Sequence, residues 1–402
     1  MGIKIIMIKI ILLLSISFSQ IQYSGYLNSE TKISNKTKEV LDLPYRLSEI
    51  NFSYTFAMLD LVSKIDFEFR NKIMKGQFSV KELYFGLYPA FGEIRFGKQI
   101  NTWGYTDGNN PTDNLNPYDL NYIFLSGMDR KIATISFVID TYISDHKLGI
   151  VIIPKHKPNR LPIEGTDFAI NYNDRYVENK NQTQWGLKFE SILGELDYML
   201  TYFNGYDFLP SYSGSTQVIT DNGIESINKF EYRKTQVFGL STVSFLKNFT
   251  FRNELAYFYT KTVLNLDNPA NYNAQYIQYV FQLEYLFQSK FIINSQLIGN
   301  KSLKSNGIVM NDDNSLGGVD LNNSNMNLGT PFASFSEKML LLALQRPIIN
   351  NILDASLVYI VDLNQNGYML GINIEYNPIK NWIISLDNQN FVSNDISSSS
   401  IF

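Results

Sequence analysis

The feature that most constrains the fold is an alternation of apolar and polar side chains with a period of two residues. It is clearest between Gln275 and Gln288, in the segment QYIQYVFQLEYLFQ. One face of this segment is entirely apolar or aromatic: Ile277, Tyr279, Phe281, Leu283, Tyr285 and Phe287. A helix would distribute these residues around its circumference, whereas a strand places them on one side. The segment therefore predicts a β-strand with one apolar face and one mixed face.

The same alternation recurs along most of the chain. It is strong in four further segments, 63–70, 92–99, 194–203 and 249–260. Weaker versions predict strands near 22–33, 47–58, 80–88, 130–140, 147–154, 183–192, 236–246, 290–298, 336–345, 352–362, 368–376 and 381–388. Together these segments predict about 16 to 18 strands. Tight turns join some of them, whereas other connections are long and polar: 101–127, 155–181, 204–229, 261–274 and 299–333.

Short turns alternating with long polar loops are typical of a transmembrane antiparallel up-and-down β-barrel, with short periplasmic turns and long extracellular loops. Aromatic residues make up 14% of the chain and charged residues 18%, and the longest apolar run after the N-terminus is Met339 to Leu344. A soluble sandwich with its apolar faces turned inward would explain the alternation equally well. It would explain the aromatic faces less well, because a Tyr hydroxyl in a dry core needs a partner.

The N-terminus predicts export. Lys4 and Lys9 precede a short apolar core, and residues 17–19 form a small-x-small cleavage site, so residues 1–19 are expected to be a signal peptide. Residues 20–402 then form a single barrel domain in the bacterial outer membrane, among its lipids. Phe402 offers the terminal aromatic residue that the barrel-insertion machinery reads. The tail SNDISSSSIF is nevertheless a poor strand, so the closing strand is expected to be weak or incomplete.

Composition excludes several functions. The formal net charge of −4 gives no electrostatic reason to bind nucleic acid, and a chain without Cys has neither disulfides nor thiolate metal ligands. No G-x-S-x-G or zinc motif is present, so no enzymatic activity is expected. The oligomeric state is left open.

Residues 97–120 read GKQINTWGYTDGNNPTDNLNPYDL. This segment resembles a group of bacterial outer-membrane porin-like barrels, including alginate-export-like proteins, that share a G-[RK]-Q, W-G and N-P-x-D pattern. The matching positions are Gly97, Gln99, Trp103, Gly104, Asn116, Pro117 and Asp119. The resemblance implies a pore of 14 to 18 strands in which some loops fold into the lumen. Lys98 departs from the usual Arg and loses the planar, bidentate guanidinium.

The connection 101–127 is the main candidate site, because it is longer than a simple link requires. The candidate residues for a constriction are Trp103, Asp107, Asp113, Asn116 and Asp119. Folded into the lumen, the three acids would favour cations or polar neutral solutes. The alternative is a surface loop whose Asn, Pro and Gly residues serve only its turns.

The same acids, together with nearby Asn residues, could also ligate Ca²⁺, which prefers oxygen ligands. The spacing departs from the EF-hand pattern, because Pro111 occupies its fifth position. No cofactor is therefore expected, with calcium in the loops kept as an alternative.

Strand parity assigns a polar set to the lumen: Arg95, Gln99, Arg252, Glu254, Gln278, Gln282, Glu284, Asn294 and Gln296. These residues either line a pathway or stiffen the wall by pairing with each other. The sequence thus predicts a porin-like pore for passive passage of small polar solutes, with selectivity set by 101–127 and the polar set. The alternative is a narrow or plugged barrel that serves as a surface binding or adhesion scaffold through its long loops.

Overall fold

The computed structural model describes residues 21–122, 125, 127–161, 176–177, 182–220, 223–261, 268–269, 273–306, 308–310, 316–318, 337–349, 352–364 and 367–392. The expected signal peptide at 1–19 and the expected weak closing strand near Phe402 lie outside these residues. The chain divides into two compact units. The first comprises Met1–Thr102, Asn116–Asn173 and Asn181–Trp185, and the second comprises Trp103–Leu115, Asp174–Lys180 and Gly186–Phe402. The single domain expected for 20–402 stays a prediction.

The first unit contains seven consecutive strands in its described residues. They are β1 (Ile21–Leu27), β2 (Tyr45–Phe56), β3 (Leu59–Arg70), β4 (Lys75–Leu87), β5 (Gly92–Gln99), β6 (Thr134–Ile143) and β7 (His146–Ile153). Each strand pairs antiparallel with the next. Two short 3-10 helices, Leu120–Tyr122 and Gly127–Arg130, lie in the long connection between β5 and β6.

The second unit continues the up-and-down order. Its main strands are β9 (Gln184–Leu193, of which the first two residues belong to the first unit), β10 (Leu196–Tyr206), β13 (Lys234–Leu246), β14 (Phe249–Lys261), β16 (Asn273–Leu286), β17 (Ile292–Asn306), β20 (Lys338–Ile349), β21 (Leu353–Asp362), β22 (Tyr368–Tyr376) and β23 (Ile384–Val392). Successive members of this series are antiparallel neighbours.

Six further strands that the structure describes lie within the long connections of the second unit. They are β8 (Tyr176–Val177), β11 (Ser211–Thr220), β12 (Gly223–Glu231), β15 (Asn268–Pro269), β18 (Ile308–Met310) and β19 (Leu316–Gly318). The first four form a separate small sheet and the last two a hairpin. The prediction of an irregular loop at 204–229 is therefore wrong for the residues that form β11 and β12. Thr220 pairs with Gly223, so only an Asp and an Asn separate the two strands in the sequence, and both residue types are common in short turns.

The fold class is confirmed as all-β with antiparallel up-and-down strands. Among the described residues, 17 strands belong to one sheet, within the 16 to 18 expected. Between β5 and β20, turns of two to five residues alternate with longer polar segments, whereas β2 to β5 and β20 to β23 are joined by successive turns of two to seven residues. The loop expected at 299–333 is shortened, because β17 extends to Asn306. In the described part of the chain, no helix is both long and apolar enough to span a membrane.

Burial on these strands is inverted relative to a water-soluble protein. On β14 and β16, the apolar residues Leu255 and Phe281 are 43% and 49% exposed, whereas Glu254 and Gln282 are 1% and 2% exposed. On β5, Phe96 is likewise exposed and Gln99 is buried. A soluble sandwich would bury the apolar face instead. The soluble alternative is therefore overturned, since an exposed apolar face suits contact with lipid and defines the class as an outer-membrane β-barrel.

Candidate functional site

Glu254 on β14 holds part of the long β5–β6 connection in the second unit. Its Oε1 accepts hydrogen bonds from the backbone N of Tyr105 at 2.7 Å and from the backbone N of Thr106 at 2.9 Å. The same oxygen accepts from Thr106 Oγ1 at 2.9 Å and Asn110 Nδ2 at 2.9 Å. Oε2 accepts from Thr112 N at 3.2 Å and Thr112 Oγ1 at 2.7 Å. One carboxylate thus fixes residues 105–112.

The donors to Glu254 are all amide or hydroxyl groups. A carboxylate that is almost fully buried loses its hydration, and several charge-assisted hydrogen bonds can replace that hydration. Thr112 Oγ1 also lies 3.1 Å from Ser241 Oγ on β13, which extends the network to the neighbouring strand. The segment from Trp103 to Leu115, hereafter the anchored segment, therefore packs on the polar face of β13 and β14.

Two glycines permit this close packing. Gly104 has a φ of +100°, and a Cβ at this position would lie 2.4 Å from Glu254 Oε1. Gly186 on β9 would similarly place a Cβ 2.4 Å from Cη2 of Trp103. Trp103 is only 4% exposed. The Trp-Gly pair of the motif therefore combines a buried ring with a backbone conformation that L-residues rarely adopt.

The tip of the anchored segment is Asp107, which contacts three strands. Its backbone N donates to Gln282 Oε1 at 2.8 Å, and its backbone O accepts from Gln296 Nε2 at 2.8 Å. Its Oδ2 accepts from Gln282 Nε2 at 2.5 Å, Asn294 Nδ2 at 3.2 Å and Arg252 Nη1 at 3.3 Å. The side-chain amides of β16 and β17 thus form hydrogen bonds with both the backbone and the side chain of Asp107.

The Asp107 side chain nevertheless remains 55% exposed. Arg252 Nη1 also lies 3.3 Å from Oε2 of Glu284, so one guanidinium is shared between two carboxylates. Asn109 Nδ2 adds a 3.1 Å bond to Gln296 Oε1. This cluster therefore presents an accessible carboxylate in a field with more negative than positive charge.

Asn116 closes the base of the same connection in the first unit. Its Oδ1 accepts from the backbone N of Asn101 at 2.7 Å. Its Nδ2 donates to the backbone O of Gln99 at 3.3 Å, the backbone O of Ile132 at 2.9 Å and Thr134 Oγ1 at 3.2 Å. The side chain is fully buried. Asn116 therefore bridges the end of β5 and the start of β6.

Asp119 belongs to a second anchor in the first unit. Arg160 makes a bidentate pair with Glu68 on β3, with both N–O distances at 2.7 Å, and its Nη1 lies 3.0 Å from Asp119 Oδ2. Tyr122 Oη donates to Glu68 Oε2 at 2.8 Å. Burial raises the pKa of the Asp119 carboxyl above its usual range, although Arg160 offsets part of this effect. These contacts tie residues 117–122 to residues 159–160.

Ion pairs dominate the rest of the polar face of β2, β3 and β4. The pairs are Arg46 with Asp66 at 3.2 Å, Lys81 with Glu49 at 2.8 Å and Lys64 with Glu82 at 2.5 Å. Asp129 in the second 3-10 helix accepts from both Arg46 and Lys81. Sequence parity places Asp66 and Glu68 on this face, but it gives no means of choosing their partners.

The structure brings together most of the residues selected from the sequence. The second unit gathers Trp103, Asp107, Arg252, Glu254, Gln282, Glu284, Asn294 and Gln296, with Asp113 in the same segment and Gln278 buried on the same face of β16. The first unit holds Asn116, Asp119, Gln99, whose Nε2 donates to Ser136 O at 3.2 Å, and Arg95, which pairs with Glu93 at 2.8 Å. Their role in permeation stays a prediction.

No group of three or more His, Cys, Asp or Glu side chains in the described ranges is arranged to hold a metal ion. Oxygens of Asp107 and Asp119 accept hydrogen bonds from protein donors instead. Calcium in the loops stays an untested alternative.

No family model matches this chain. No curated protein matches it either. Among solved structures, it is similar to OmpT, an outer membrane protein of Vibrio cholerae, at 11% identity and a TM-score of 0.47, covering 92% of this chain and 97% of that one.

OccAB3 of Acinetobacter baumannii is similar at 9% identity, a TM-score of 0.48 and 92% coverage of both chains. The outer membrane channel DcaP of the same organism gives 9% identity and 0.44, covering 93% of this chain and 98% of that one. These are similarities of fold alone.

Proposed function

We propose that the protein is a porin-like outer-membrane pore for the passive passage of small polar solutes, with the anchored segment as its selectivity element. The observation that carries this proposal is the position of Trp103–Leu115. Glu254 fixes this segment on the polar face of strands whose opposite face is apolar and exposed. Such strands separate lipid contact from solute contact, so that polar solutes meet amides and charges rather than hydrocarbon.

The charge of the anchored segment favours cations and neutral polar solutes. Asp107 is half-exposed and shares Arg252 with Glu284, so an approaching anion meets a net repulsive field. Ion pairs and amides elsewhere on the polar face offer hydrogen bonds without a single dominant charge. We include lipid and the insertion machinery among the partners, as the sequence predicts.

The finer resemblance to alginate-export-like barrels is also part of the proposal. Four positions of the motif support it. Trp103 and Gly104 pack the anchored segment, and Asn116 and Asp119 hold the base of the connection by hydrogen bonds. Strongly charged export pathways are disfavoured by the near balance of acids and bases on the polar face.

Conductance in planar lipid bilayers tests the proposal. Refolded protein should give discrete conductance steps, and a KCl gradient should give a reversal potential on the cation-selective side. Asp107→Asn should reduce that selectivity, whereas Asp145→Asn, an equal charge change in the exposed β6–β7 turn, should leave it unchanged. Folded protein that gives no conductance steps would reject the pore and favour the surface scaffold.

A further inference from the structure

On the polar face of the second unit, the side chains change from polar to apolar next to the anchored segment. Gln296 on β17 is directly opposite Leu341 on β20, Leu341 is opposite Ile360 on β21, and Ile360 is opposite Met369 on β22. Directly opposite residues of antiparallel strands share a face. The row that begins with Gln282 and Gln296 therefore continues as an apolar strip, defined here as Leu341, Ile360 and Met369.

The apolar strip is not explained by lipid contact. Leu340, Leu342 and Leu344 occupy the alternate positions of β20, so both faces of this strand are apolar, unlike β14 and β16. Leu341 and Ile360 of the strip pack against a small buried cluster of Val280, Ile298 and Met339. The three side chains of the strip are only half-buried. Covering such accessible apolar surface with an apolar group removes it from water, which lowers the free energy.

The accessible carboxylate of Asp107 reaches β17, the strand next to this strip, because its Oδ2 accepts a hydrogen bond from Asn294 Nδ2 at 3.2 Å. Gln296 bonds the backbone O of Asp107 at 2.8 Å and is the direct strand neighbour of Leu341. Neighbouring strands are about 4.8 Å apart, so Ile360 lies roughly 10 Å across the sheet from Gln296. That distance matches the length of a single ring carrying a short charged arm.

We propose that Asp107 and the apolar strip form a binding subsite for a small organic cation with an apolar body. The cationic group would lie at Asp107, where two carboxylates share the single guanidinium of Arg252. The apolar body would cover Leu341 and Ile360. A role of this subsite in permeation rests on the proposed pore. Small organic cations with an apolar body would then be the solutes that the pore retains longest.

Binding to full-length protein in lipid nanodiscs tests the subsite, with phenethylammonium as the probe in isothermal titration calorimetry. Ethylammonium lacks the apolar body, and 3-phenylpropionate carries the opposite charge. The wild-type protein should bind phenethylammonium more tightly than either. Asp107→Asn should weaken binding about two- to fivefold, as expected for a half-exposed ion pair. Leu341→Ala should weaken it about three- to tenfold.

Two matched controls isolate the subsite. Leu342→Ala removes the same atoms from the next residue of β20, on the opposite face, and Asp145→Asn removes one charge from an exposed turn; both should bind as the wild type does. Ile360→Val supplies a milder second variant if Leu341→Ala fails to fold. Equal binding by wild type, Asp107→Asn and Leu341→Ala would overturn the inference, as would equal binding of phenethylammonium and 3-phenylpropionate.

Planar-bilayer conductance separates the subsite from the proposed pore. Selective binding without conductance would reject the pore and retain the subsite.

Discussion

The two units hold their parts of the β5–β6 connection by different means. In the first unit, Asn116 holds the base of the connection by neutral hydrogen bonds, and charged partners hold the residues that follow: Arg160 joins Glu68 to Asp119, and ion pairs extend across β2 to β4. In the second unit, neutral donors surround one buried carboxylate, Glu254, and amides of β16 and β17 hold Asp107.

The difference teaches how each anchor should respond to its surroundings. Arg160 is 43% exposed, so its ion pairs are hydrated and screened by salt. Glu254 is buried among six neutral donors, and removing it would take away the acceptor of three backbone N–H groups, those of Tyr105, Thr106 and Thr112. The contribution of the Arg160 ion pairs to stability is therefore expected to vary with salt. The hydrogen bonds to Glu254 are expected to be insensitive to salt and to be lost together when Glu254 is removed.

The largest expected effect is that of Glu254→Ala. Loss of the acceptor leaves three backbone N–H groups without their carboxylate partner, so the free energy of unfolding should fall by about 3–5 kcal/mol. The anchored segment should detach, and conductance should become larger and noisier. Urea unfolding and single-channel recording measure the two effects. Glu195→Gln, in the exposed β9–β10 turn, is the control. Wild-type stability and conductance in Glu254→Ala would refute the anchor.

Gly104→Ala should destabilise by about 2–4 kcal/mol, since the methyl group meets Glu254 Oε1 and the positive φ is strained. Gly127→Ala supplies the matched comparison, because Gly127 also has a positive φ but has nothing within 4 Å of its Cβ position. Its cost should be about 1 kcal/mol. Equal costs at the two positions would show that contact with Glu254 does not constrain residue 104.

A third prediction concerns the buried ion pair of Asp207 and Arg233, which lies 3.2 Å apart in the second unit. Burial raises the pKa of Asp207 to about 6. Because the folded-state pKa exceeds the unfolded value, the folded state favours the protonated Asp207 carboxyl. The stability that this protonation contributes is complete below about pH 4 and is lost as pH rises through 6, where the ion pair forms at the cost of a buried charge. The difference in unfolding free energy between wild type and Asp207→Asn should therefore shift by about 1–3 kcal/mol between pH 4 and 7. A difference independent of pH would contradict the raised pKa.

The smallest effect is expected in the first unit. Arg160→Ala should cost about 1 kcal/mol at low salt, because its pairs are partly exposed, and this cost should shrink at about 1 M salt. The cost of Glu254→Ala should be insensitive to the same salt range. Unfolding titrations at both ionic strengths test this contrast, which fails if the two variants respond to salt alike.

Much of this arrangement could be predicted from the sequence. The period of two predicts β14 and β16, and parity places Glu254, Gln282 and Gln296 on the polar face. The partners could not be predicted, because alternation specifies a face and not which loop residues reach it. Arg160 and Glu68 are 92 residues apart, and no local pattern links them. The β11–β12 hairpin cannot be predicted in the same way, because its polar residues resemble a loop in composition.

The most direct test of the central claim uses the absence of Cys from the chain. A single cysteine introduced as Asp107→Cys can be modified with a trimethylammonium-ethyl methanethiosulfonate during single-channel recording. The structure predicts a stepwise change in conductance on modification, and none for Asp145→Cys in the β6–β7 turn. Complete modification of Asp107→Cys, verified by mass spectrometry, without any change in conductance would contradict the claim that the anchored segment controls passage.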